Sequence, residues 1–101
     1  MISLGNIPLE NDLEKLPDLV SQALIQWRTA TLDREKCEAL LYVKFHGEDL
    51  ERTATEIKAL IHADSERYMM VLNEIKSEAN YNFLYEKLMS AKKIASLRTA
   101  F

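Results

Sequence analysis

DSERYMMVLNEIKSEANYNFLYEKLMSAKKIASLRTAF, the stretch from Asp64 to Phe101, contains neither glycine nor proline and opens on an aspartate. Aspartate competes with helix interiors but accepts well from the free N–H groups of a first turn, so Asp64 reads as an N-cap. A helix over these roughly 38 residues is about 57 Å long at 1.5 Å per residue. A compact domain of about 100 residues has a radius of gyration of only about 13 Å. Such a helix must project, lie against an equally long helix of its own chain, or be buried by other copies.

Its apolar pattern favours burial. Tyr68, Leu72, Ile75 and Ala79 make one seam at steps of four, three and four; Leu84, Leu88, Ala91 and Ala95 make a second, displaced from the first. A displaced near-heptad pattern predicts a helix that changes partners along its length. Tyr81, Phe83 and Tyr85 add apolar surface around Leu84, and a helix apolar all round at one level is buried on several sides. The expected interface between copies is therefore Tyr81, Leu84, Tyr85, Leu88, Ala91 and Ala95.

Upstream, Thr53-Ala54-Thr55-Glu56 has the spacing of a capping box and starts a short helix over 54–63. His46-Gly47-Glu48-Asp49 reads as a helix stop with Gly47 as a left-handed cap. Before it, Val20, Ala23, Leu24, Trp27, Ala30, Cys37, Leu41 and Phe45 recur at helical spacing. They predict a helix over 17–45, with Pro17 in the first turn, where its missing N–H costs nothing. The β-branched Thr29 and Thr31 predict a bend. Residues 1–16 read as an arm, although Leu4, Ile7, Leu9, Leu13 and Leu16 are too apolar for a segment that is always solvated. The expected architecture is all-α, a single domain of two long helices joined by a short capped one, with helices at about 17–45, 54–63 and 65–99.

Composition agrees. The chain of 101 residues has two glycines and two prolines, none beyond Gly47, and hairpin turns need such residues. The lone Cys37 cannot form an intrachain disulfide, which suits a cytoplasmic protein. Flanked by Lys36 and Glu38, it reads more readily as a small half-buried filler than as a nucleophile. No run of 18 apolar residues spans a membrane, and the acidic N-terminal region is unlike a signal peptide. The net charge of −3 argues against a simple basic glove for nucleic acid. The charge is uneven, however: Glu10, Asp12, Glu14 and Asp18 face Lys15 alone, while Lys87, Lys92, Lys93 and Arg98 face Glu86 alone. Cations at a helix C-terminus suit its dipole. Gathered in an oligomer, those ends would also make a basic face.

A search for chemistry points away from catalysis. His46 and His62 sit in no metal-ligand spacing, no glycine-rich phosphate cradle is present, and Thr53 and Thr55 are explained by capping. The expectation is a protein that is not an enzyme and uses neither cofactor nor metal. One cluster suits single-stranded nucleic acid, where cations neutralise phosphates and rings stack on bases: Lys36, Tyr42, Lys44, Phe45 and His46. Tyr42 and Phe45 read more readily as core or half-core, with Lys44 as an ordinary surface residue.

The stretch Thr55-Glu56-Ile57-Lys58-Ala59-Leu60-Ile61-His62-Ala63-Asp64 resembles the central motif of the UvsY family of phage recombination mediators. The order of surrounding features agrees over Trp27 to Phe101. A Trp-containing helix precedes the turn Phe45-His46-Gly47-Glu48-Asp49; after the motif come a long helix with Phe83 and Leu88, the pair Lys92-Lys93, and an end carrying Arg98 and Phe101. The resemblance implies a non-enzymatic homo-oligomer, held by its C-terminal helices, that binds single-stranded DNA. It also implies loading of a RecA-type recombinase onto strands coated by single-strand binding protein. The family's DNA contacts lie in a basic stretch before the turn; here Glu38 to Phe45 keeps only Lys44 as a cation. The residues expected to touch DNA are Lys36, Lys44 and Arg52, with Lys58 next. A different function stands beside this one: a small acidic helical protein that binds and inhibits or scaffolds another protein without contacting DNA. Its working surface would be Glu10, Asp12, Glu14 and Asp18 with Glu48, Asp49 and Glu51.

Overall fold

The structure, a computed structural model, describes residues 10–100. It is all-α, with two long helices and a short one between them: α1 (Glu10–Glu48), α2 (Ala54–Ala63) and α3 (Ser65–Ala100). The long helices fold back on one another as an antiparallel hairpin, and the molecule measures 71 × 25 × 18 Å. Of the three options open to the long C-terminal helix, the chain takes the second, a partner of equal length within itself.

Two matching heptad seams hold the hairpin. On α1 the inward positions are Leu16, Val20, Ala23, Trp27, Ala30, Arg34, Cys37 and Leu41; on α3 they are Met70, Glu74, Ser77, Tyr81, Leu84, Leu88 and Ala91. Steps alternate between three and four throughout, the pattern of helices crossing at a shallow angle. Large buried side chains cluster at the two ends, with Ala23 and Ala30, each 2 % exposed, between them. Near the open end Leu16 packs with Leu88 and Ala91, flanked by Val20. Near the closed end Cys37 and Leu41 pack with Ile57 and Ile61 of α2, flanked by Phe45 and Met70. Between these clusters the Trp27 and Tyr81 rings meet at 5.4 Å, and Tyr81 stacks on Tyr85 at 5.9 Å.

Several boundaries differ from the sequence-based expectation, each for a physical reason. The helix expected over 17–45 begins at Glu10, and Pro17 lies inside it rather than in its first turn. Proline inside a helix removes a hydrogen bond and crowds the carbonyl four residues back. Burial of Leu16, 2 % exposed against α3, opposes that penalty and carries the helix through. Of the expected arm, residues 10–16 are thus helical, and residues 1–9 lie outside the described residues. No bend breaks α1 into two helices at Thr29–Thr31: the Thr31 hydroxyl donates back to the Trp27 carbonyl at 3.1 Å.

Gly47 is not a left-handed cap; it sits in the last turn of α1 without a positive φ. The helix stops instead on a turn in which the Arg52 N–H donates to the Asp49 carbonyl (3.2 Å) and the Glu51 N–H to the Asp49 carboxylate (3.0 Å). The Arg52 guanidinium reaches back to the Phe45 carbonyl at 2.8 Å and satisfies one of the last turn's orphan acceptors. The two expected caps are present: the Glu56 N–H donates to Thr53 Oγ1 (3.2 Å), and the Arg67 N–H to Asp64 Oδ1 (2.9 Å).

On α3 the seam read as Tyr68, Leu72, Ile75 and Ala79 lies opposite the packed face, with only Leu72 half-buried. Tyr68 is 58 % and Ile75 55 % exposed. The inward positions at this level include Glu74, which a search for apolar spacing passes over. Its carboxylate is satisfied by Arg34 on the facing helix, at 2.9 and 3.0 Å.

Candidate nucleic-acid interface

The four cations expected to meet a strand lie on the half of the hairpin that carries α2, but in different settings. Lys36 and Lys44 are exposed on α1, and Lys44 Nζ lies 5.6 Å from the Phe45 ring centroid. Lys58 is exposed on α2, because Ile57 and Ile61 occupy the face turned to the hairpin. It borders a shallow hollow with Tyr42, Ala39, Glu38, Ile61 and His62. Tyr42 stacks on His46 with ring centroids 6.2 Å apart, placing an exposed ring beside that hollow.

Arg52 is different. Besides its bond to the Phe45 carbonyl, its guanidinium lies 3.4 Å from Glu48 and 6.0 Å from the Phe45 ring centroid. It ties the α1–α2 turn, so its role is structural first. Acids crowd the same end: between residues 36 and 66 the chain carries four cations, Lys36, Lys44, Arg52 and Lys58, against seven acids. Lys44 itself shares a surface hollow with Asp64 and Glu66.

An ion network crosses the hairpin just below this region, and apolar spacing gave no sign of its span. Arg34 bonds Glu74 across the seam and Glu38 one turn along at 2.6 Å; Arg67 bonds the other oxygen of Glu38 at 3.0 Å. The signal available in the sequence was the Arg34–Glu38 spacing of four. Its continuation depends on residues brought together only by folding. Arg34 and Arg67 are thereby engaged within the fold, each side chain about a fifth exposed.

The residues expected between copies divide as well. Leu88 and Ala91 are buried within the chain, and Tyr81 and Leu84 are half-buried on the same inward seam. Tyr85 and Ala95 are exposed. Cys37 is buried, and loss of solvation raises its thiol pKa, aided by the charges of Glu66, Asp64 and Glu38. A thiol held protonated in this way is a poor nucleophile.

Among the described residues no trio of His, Cys, Asp or Glu is placed to hold a metal ion, and no helix is long and apolar enough to cross a membrane. Fold and surface define a class, an all-α helical hairpin whose candidate contacts are exposed side chains. No family model, no curated protein and no solved structure matches the chain.

Proposed function

We propose that the chain is a non-enzymatic recombination mediator: a homo-oligomer that binds single-stranded DNA and helps load a RecA-type recombinase onto strands coated by single-strand binding protein. The observation that carries this is the setting of the UvsY-like motif. Thr55 to Ala63 lies in a helix capped at its start by Thr53, closed by Asp64 and docked by Ile57 and Ile61. That docking leaves Lys58 in solvent beside Tyr42 and His62. Cation and rings exposed together suit a strand whose phosphates and bases must both be met.

Strand contact falls to Lys36, Lys44 and Lys58, each weak alone and summed over the copies of an assembly. Fluorescence anisotropy with a labelled single-stranded oligonucleotide tests this. Binding falls steeply with salt, and Lys36→Ala, Lys44→Ala or Lys58→Ala lowers the salt slope by about 0.7 per strand contact removed. Absent binding, or binding indifferent to salt, overturns the proposal.

The excess of acids around the closed end favours a second function, a helical protein that binds another protein through this acidic end without touching DNA. It is the one supported if the oligonucleotide does not bind at low salt while a basic partner domain does.

A further inference from the structure

The outer face of α3 is apolar over several turns and is largely uncovered by the other described residues. Tyr68, Met69, Ile75 and Phe83 are 58, 62, 55 and 64 % exposed. Tyr68, Leu72, Ile75 and Ala79 repeat the three-four alternation of the inward seam on the opposite side of the helix, with Leu72 half-buried and the other three exposed. Such a stripe fits another helix at a shallow angle. We propose that its occupant is the same stripe of a second copy, so that α3 packs on α1 with one face and on a neighbouring α3 with the other.

Two observations favour a copy over a foreign partner. The first is area. The chain exposes 7863 Å², whereas a compact protein of its 11.7 kDa exposes about 5,900 Å². The surplus of about 2,000 Å², spread over the whole chain rather than α3 alone, leaves room for the roughly 1,000 Å² that each partner contributes to an obligate interface. The second is charge. From 68 to 83 the only charged residues are Glu74, Lys76 and Glu78, and Glu74 is turned inward onto Arg34. One cation and one anion remain outside, so two copies of this face meet without the repulsion that the net charge of −3 brings elsewhere. The inference rests on the oligomeric half of the proposed function and is independent of DNA. It also moves the interface from Leu88 and Ala91, which are used within the chain, toward the start of α3.

The test is mass by light scattering after gel filtration, without nucleic acid. The wild-type chain runs as a dimer or larger. Leu72→Glu with Ile75→Glu brings the mass down at least twofold to 11.7 kDa with helicity by circular dichroism unchanged. Leu32→Glu, at an exposed position on α1, keeps the wild-type mass. Should the double variant lose helicity, Tyr68→Glu with Phe83→Glu serves in its place. A monomeric wild type, or a mass unchanged by both pairs of substitutions, overturns the inference. Loss of DNA binding with assembly intact would instead overturn the mediator function and leave the seam standing.

Discussion

At the scale of single residues, the middle of the hairpin is polar where an apolar layer would pack. Glu74, Arg34, Glu38 and Arg67 form an alternating chain of charge across the two long helices, each side chain between 18 and 26 % exposed. Burial works to raise the pKa of Glu74, but hydrogen bonds from Arg34 and the positive charges of Arg34 and Arg67 outweigh it and hold the carboxyl below its usual value. The hydrogen bond to Glu74 in turn raises the pKa of Arg34. A carboxyl depressed in the folded state stabilises fully above its unfolded pKa of about 4.3, and that contribution is lost as pH falls through the lower folded value. Glu74→Gln keeps an acceptor but not the charge. It lowers stability by about 1 kcal/mol at neutral pH. The gap in Tm between wild type and variant narrows as pH drops below about 4. Thermal unfolding from pH 7 to pH 3 measures this; a gap constant with pH shows that the pair does not form.

At the scale of elements, the helix starts were legible because a cap is a local event. Thr53 and Asp64 announce themselves by type and spacing, and both accept the expected N–H. The stop after α1 was not, because it depends on Arg52 folding back to the Phe45 carbonyl. Nor was the start at Glu10, since Leu16 finds its partners Leu88 and Ala91 more than seventy residues away. The inward face of α3 was misread for the same reason. Glu74 looks like surface until Arg34 stands opposite. Lys36, Lys44 and Lys58 were expected at the surface and lie there. That Arg52 is bound within the fold follows from the turn geometry. Both helix corrections have thermodynamic consequences. A β-carbon built on Gly47 meets nothing within 4 Å, and the residue is helical, so Gly47→Ala stabilises by about 0.5–1 kcal/mol. Pro17→Ala restores a helical hydrogen bond and stabilises by about 1–3 kcal/mol. Chemical denaturation of each variant measures the gain. A destabilised Gly47→Ala would mean the backbone there is left-handed after all.

At the scale of the molecule, the fold is a rod with a thin core, its radius of gyration 20.8 Å against about 13 Å for a compact domain of this length. Two long helices offer one seam to each other, and the small residues Ala23, Ala30 and Ala91 bring little apolar area to it. A core of this size is marginal alone, so the self-assembly proposed above would add to stability. The outward stripe on α3 then has a consequence beyond mass. In the proposed assembly the exposed lysines of several hairpins would act on one strand, and separating the copies would remove that avidity while leaving every lysine in place. The variant with Leu72→Glu and Ile75→Glu therefore binds a long single-stranded oligonucleotide about a hundredfold more weakly, the low end of avidity gains of about 10² to 10⁴. Its affinity for a strand short enough to meet one protomer is unchanged. Small-angle scattering of the same variant returns a radius near 20.8 Å if the hairpin persists as a separate rod. A markedly smaller radius would mean that the lone chain folds back on itself, and equal affinity for the long strand would place all strand contact within one protomer.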